Sequence, residues 1–125
     1  MKVLLVDDSK TMRNIWKKVI AMLDDKAEVF EAADGMEGLT VFSKEKNIDL
    51  ALVDWNMPNM CGLDMVKKVR EFNKSTVMIM CTTEAEKPRI IEAIRAGINN
   101  YMIKPFTPDK LLEKIEETLA NAKSG

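Results

Sequence analysis

Histidine is missing from all 125 residues. That excludes imidazole acid–base catalysis and every zinc site that needs a histidine ligand. Cysteine occurs twice, as Cys61 and Cys81. Two cysteines make no disulfide framework, and a pair of inert thiols in a reducing cytosol is the plain expectation. No apolar stretch is long enough to span a bilayer. The opening MKVLLVDDS turns acidic too soon for a signal peptide, so a cytoplasmic location is expected. Neither sign of charge dominates: 19 Lys and Arg stand against 20 Asp and Glu, a net charge of -1. That balance argues against electrostatically driven nucleic-acid binding. There is no P-loop, no glycine-rich first loop, no internal repeat, no low-complexity tract and no linker. Ten methionines are more simply core filler than a metal site.

What is present is an alternation. Short apolar runs, KVLLV (2–6), AEVFEA (27–32), DLALV (49–53), TVMIMC (76–81) and NYMIK (100–104), have the length and Val/Ile/Leu content of buried parallel strands. Helical periods lie between them. Met12, Ile15, Trp16, Val19, Ile20 and Leu23 recur at three- and four-residue steps on one face. Asp34 with Glu37 reads as a capping box for a second helix. Leu63, Val66, Val69 and Phe72 mark a third. Pro88, Ile91, Ile94 and Gly97 frame a fourth, and Ile90 lies beside its core stripe. Thr107-Pro108-Asp109 starts a fifth, whose buried stripe is Leu111, Leu112, Ile115 and Leu119. The sum is (βα) five times over, a doubly wound α/β fold with a five-stranded parallel sheet, in one domain spanning residues 1–125. Helices on both faces require the strand order to reverse, and ligands bind beyond the carboxyl ends of strands at such a reversal.

The strand ends carry the chemistry. Strand one runs into Asp7 and Asp8, and strand three into Asp54. Three carboxylates converging in one crevice repel unless a cation joins them, and an oxygen-only ligand set points to Mg²⁺ or Mn²⁺. Taken singly, each acid has a plainer use: Asp8-Ser9 fits a helix N-cap equally well, and Asp54 fits a turn before Pro58. Thr82 follows strand four, and Lys104, before Pro105, ends strand five. A hydroxyl and an ammonium facing a metal–carboxylate site suit a tetrahedral anion such as a phosphoryl group. Each again has a plainer use, as a cap hydroxyl and a solvated loop lysine. A hydrolase of the haloacid dehalogenase type also uses an aspartate nucleophile and Mg²⁺. It wants a second aspartate two residues on, where this chain has Asn56, and no substrate pocket is legible.

VDDS, DWNMPNMCG, CTTEA and YMIKPF, in this order and spacing, make the whole chain resemble a response-regulator receiver domain. DWNMPNM together with KPFT is most similar to the chemotaxis branch of that family. The resemblance implies the flavodoxin-like strand order 2-1-3-4-5. It implies that Asp54 accepts a phosphoryl group from a histidine kinase. It also implies that Asp7, Asp8 and Asp54, with the backbone carbonyl of Asn56, hold Mg²⁺. Thr82 matches the switch hydroxyl, Lys104 the phosphate-pairing lysine and Tyr101 the aromatic switch residue. The Lys104–Pro105 bond is expected to be cis. Asn56 and Glu84 match positions flanking the attacking water and are expected to tune self-dephosphorylation.

Two positions depart from the pattern. Cys61 stands where many relatives carry aspartate, so the third helix is expected to lose an N-cap. Thr83 is larger than the usual Ala or Gly and is expected to restrict access to the phosphoryl group.

The expected output face is helix four, strand five and helix five, with Lys87, Ile90, Tyr101, Ile103, Phe106 and Lys114. The implied role is a monomeric, phospho-accepting signalling domain rather than an enzyme. Its expected partners are a histidine kinase, a phosphatase and the flagellar motor switch. The alternative output is a phosphorelay between histidine-containing proteins. No DNA-binding domain is expected after helix five, and NAKSG reads as a tail.

Overall fold

The computed structural model describes residues 1–124. The chain alternates β1 (Lys2–Val6), α1 (Lys10–Leu23), β2 (Glu28–Ala32), α2 (Gly35–Lys44) and β3 (Leu50–Val53). It continues through α3 (Gly62–Arg70), β4 (Val77–Thr82), α4 (Lys87–Ala96), β5 (Asn100–Ile103) and α5 (Pro108–Ser124). All strand pairs are parallel, in the order β2-β1-β3-β4-β5, as the alternation and the resemblance led us to expect.

Successive strand residues point to opposite faces, so one sheet builds two apolar layers. Leu4, Val6, Ala51, Val53, Met78 and Met80 pack with Leu63, Met65, Val66 and Val69 of α3. Val3, Leu5, Leu50, Leu52, Ile79 and Cys81 pack with Trp16, Val19 and Ile20 of α1 and Leu111 and Ile115 of α5. The three inner strands are buried on both sides, which is why they read as unbroken apolar runs.

Caps fix where the helices begin. Ser9 caps α1, its Oγ accepting the Met12 N–H at 3.1 Å. Asp34 Oδ1 accepts the Glu37 N–H at 2.8 Å, and Glu37 Oε1 accepts the Ala33 N–H at 3.2 Å, one residue earlier than an ideal capping box. Thr107 Oγ1 accepts from the Lys110 N–H ahead of α5. Cys61 caps α3 without any side-chain hydrogen bond, as its chemistry dictates. Gly97 ends α4 at φ 118°, a conformation that favours glycine.

Several sequence expectations need correction. Phe72 lies beyond the end of α3 and is 55% exposed, because the helix stops at Arg70. Ile91 and Ile94 are exposed: α4 lies at the sheet margin, and Ala93 alone among its residues is buried. Ile15 is also exposed, and with Met12, Met22, Pro105 and Phe106 it lines an apolar groove between α1 and the β5–α5 junction. Thr82 closes β4 rather than following it, and Lys104 stands one residue past β5. Residues 121–124 continue α5 instead of forming a tail, while Gly125 lies outside the described residues. No described helix is long and apolar enough to cross a membrane.

Candidate functional site

Strand register brings the acids together. Val6 pairs with Val53, so the residues that follow them, Asp7 and Asp54, leave neighbouring strands side by side. One further ladder bond holds each: the Asp7 N–H donates to the Ala32 carbonyl at 3.1 Å, and the Asp54 N–H to the Val6 carbonyl at 2.9 Å. Asp7 Oδ1 then accepts the Ser9 N–H at 2.8 Å, and Asp54 Oδ1 accepts the Trp55 N–H at 2.9 Å. Because Ser9 caps α1, the Asp8 carboxylate is not used up as that cap. Asp7 and Asp54 are buried, Asp8 is exposed, and one carboxylate oxygen from each lies within 4.8 Å of the others.

Lys104 comes from the far side of the sheet to meet them. Its Nζ is 3.1 Å from Asp7 Oδ2 and 3.5 Å from Asp54 Oδ1. Burial alone would lower the Lys104 ammonium, but Asp54 and Asp7 outweigh it and raise it above its ordinary value. Asp54 is raised as well, mainly by burial, with Asp7 adding to the rise and Lys104 opposing it. The folded chain thus holds a carboxylate that would gain from another cation. The donors are oxygens only, two of the three acids are buried, and a hard divalent ion fits this set.

Thr82 and Tyr101 are joined through one loop residue. The buried Thr82 Oγ1 accepts the Glu84 N–H at 3.3 Å, and the half-buried Tyr101 hydroxyl donates to the Glu84 carbonyl at 2.6 Å. The ring is therefore already tied inward. Burial, aided by Glu84, pushes the Tyr101 hydroxyl up to about 12. Thr83 and Asn56 are exposed beside this edge. Ile90 is half-buried on α4, and Ile103 is exposed on β5. Phe106 packs with the α1–α5 layer and Tyr101 with the opposite one, on either side of the edge strand β5.

The β3–α3 loop folds back tightly over Asp54. The Gly62 N–H donates to the Trp55 carbonyl at 2.8 Å, and a Cβ on Gly62 would sit 2.1 Å from the Asp54 carbonyl oxygen. Asn59 Nδ2 donates to Asp34 Oδ2 at 2.6 Å, latching the loop to the start of α2. Cys81 is wholly buried, and burial pushes its thiol up to about 12, which makes it unreactive.

Four neighbours were not legible in the sequence. The Arg13 guanidinium donates to the Asp7 carbonyl, Arg89 lies 5.1 Å from the Trp55 ring centroid, Trp16 lies under Lys104, and Asn59 forms the latch. No spacing rule flags a cation that reaches a ring on another element.

The family model described as "Response regulator receiver domain" matches residues 3–116. A "Chemotaxis protein CheY homolog" of Campylobacter jejuni is 47% identical over 121 residues, covering 95% of this chain and 92% of that protein. "Chemotaxis protein CheY1" of Helicobacter pylori is also 47% identical, over 95% of this chain and 97% of its own length. A solved CheY-like receiver domain from Methanospirillum hungatei superposes with a TM-score of 0.88 at 31% identity, covering 98% of this chain and 96% of its own. The chain belongs to the response regulator receiver domain family.

Proposed function

We propose that residues 1–125 act as one receiver unit that takes a phosphoryl group onto Asp54 from a phosphohistidine of a histidine kinase. Membership of the family puts the chain in two-component signalling. The observation that carries the phosphoacceptor reading is Lys104 set between Asp7 and Asp54, at 3.1 and 3.5 Å, at the carboxyl ends of adjacent strands.

In the transfer, an Asp54 carboxylate oxygen attacks phosphorus. A phosphorus–oxygen bond forms as the phosphorus–nitrogen bond breaks. The leaving electron pair stays on the imidazole, which takes a proton. Asp7, Asp8, Asp54 and the Asn56 carbonyl would hold Mg²⁺, which when bound offsets the charge of the phosphoryl oxygens. Lys104 keeps an ammonium 3.5 Å from the Asp54 carboxylate, and Thr82 supplies a hydroxyl at the same edge. Water later breaks the mixed anhydride, with Asn56, Thr83 and Glu84 setting its access.

The signal leaves through Glu84. A Thr82 hydroxyl recruited to the phosphoryl group alters its bond with the Glu84 N–H, and the Glu84 carbonyl holds Tyr101. The output surface is then Ile90 of α4, Tyr101 and Ile103 of β5 and Phe106 at the β5–α5 junction, flanked by Lys87 and Lys114. The names of the Campylobacter and Helicobacter relatives support a chemotaxis output, for which the partner is the flagellar motor switch. The test is a capture experiment with motor-switch and histidine-phosphotransfer proteins, with and without an acyl-phosphate mimic at Asp54. Phosphorylation-dependent capture of the motor switch is expected. Equal capture in both states would reject the switch, and phosphoryl exchange with the phosphotransfer protein alone would favour a relay.

A further inference from the structure

Trp16 is the bulkiest side chain buried completely, in the layer shared by α1 and α5. Its indole Nε1–H has no hydrogen-bond partner among the described residues. An unpaired buried donor is unfavourable, and leucine or phenylalanine would fill core space without one. What the indole adds is its face. Lys104 Nζ stands 5.6 Å from the ring centroid. That is within reach of a cation–π contact, for which tryptophan is the best ring.

We propose that Trp16 is a positioning residue for phosphorylation of Asp54, its ring face holding the Lys104 ammonium at the phosphoacceptor edge. The inference rests on the phosphoacceptor reading above. Lys104 has two kinds of partner. The carboxylates of Asp7 and Asp54 are the groups that a divalent cation and an incoming phosphoryl group engage, so their hold on the ammonium changes during the reaction. The ring is uncharged and fixed by the core around it, so its hold persists. A lysine stem is long and rotationally free. A constant partner keeps it from swinging into solvent when the carboxylates turn to other cations, and the ammonium stays placed for a phosphoryl oxygen.

The test uses the intact chain. Trp55→Phe leaves Trp16 as the only tryptophan. In that background, with metal chelated, Lys104→Met removes the charge but keeps an apolar stem. A change in Trp16 emission intensity or wavelength is expected, and an unmoved spectrum overturns the contact. A second arm follows phosphorylation of Asp54 by acetyl phosphate with Mg²⁺ at saturating donor. Trp16→Leu is expected to slow the maximal rate by roughly five- to thirty-fold, the span of a partly to fully desolvated cation–π contact. Trp16→Phe, which keeps a ring face, is expected to recover most of it.

Equal rates in wild type and Trp16→Leu, or equal slowing by Leu and Phe, overturn the role of Trp16. If Trp16→Leu does not fold, Trp16→Met, which also lacks a ring face, takes its place in the rate comparison with Trp16→Phe. A wild-type chain that gains no phosphoryl group overturns the phosphoacceptor reading itself.

Discussion

Replacing Asp54 by asparagine in chelator-treated protein is expected to stabilise the fold, although it removes an ion pair. The three carboxylates lie within 4.8 Å of one another. At an effective dielectric of roughly 20, each pair at that distance repels by about 3.5 kcal/mol. Asp8 is exposed, and solvent screening cuts its share to about 1 kcal/mol. Lys104, at 3.5 Å, returns about 4.7 kcal/mol on the same scale. Repulsion and attraction nearly cancel, so desolvation decides, and desolvation disfavours the charge; this is why Asp54 sits above its ordinary 3.8. Asp54→Asn is therefore expected to raise the Tm, by roughly 3–5 °C for each 1 kcal/mol gained in a chain of this size.

The pH dependence has a definite sign. A carboxyl raised in the folded state costs stability when it is charged, and the cost vanishes once it is protonated in both states. The gap between variant and wild type is thus widest near neutral pH and closes as pH falls toward 3.8. Mg²⁺ at a hundredfold its Kd then adds about 2.7 kcal/mol to the wild type and less to the variant, reversing their order. Thermal melts with and without chelator measure both effects. A lower Tm for metal-free Asp54→Asn at neutral pH, or a gap that widens in acid, would show that the Asp54 charge is not destabilising in the metal-free fold.

Three further variants test separate parts of the account. Cys61→Ser supplies the missing cap oxygen at the start of α3 and is expected to raise stability by roughly 0.5–1 kcal/mol in urea melts. Gly62→Ala forces a Cβ to within 2.1 Å of the Asp54 carbonyl oxygen. It is expected to cost about 3 kcal/mol or more and to lower the phosphorylation rate, since the backbone must shift. Tyr101→Phe loses the hydroxyl donated to Glu84. It is expected to cost about 1 kcal/mol while leaving Asp54 phosphorylation unchanged and weakening phosphorylation-dependent partner capture.

The sequence carries the site more fully than the surface. Asp7, Asp8, Asp54, Thr82 and Lys104 are legible because strands written as apolar runs end in polar residues, and a parallel sheet aligns those ends. Periodicity reveals which residues of a helix share a face, but not whether that face is covered. So Ile91 and Ile94 read as core, yet lie exposed on a helix that buries only Ala93. Ile15 misleads in the same way. Trp16 was legible as core, but not as a partner of Lys104, because 88 residues of chain separate them and only the fold brings ring and ammonium together. The inward tie of Tyr101 to Glu84 is likewise invisible, since it depends on a backbone carbonyl in a loop.

Asp54, held beside Asp7 and Lys104, is the proposed phosphoacceptor. Incubating the intact chain with acetyl phosphate and Mg²⁺ and reading its mass tests it most directly. The wild type is expected to gain one phosphoryl group, a gain lost on chelation and absent in Asp54→Asn. A gain that persists in Asp54→Asn, or that proceeds without a divalent ion, would contradict it.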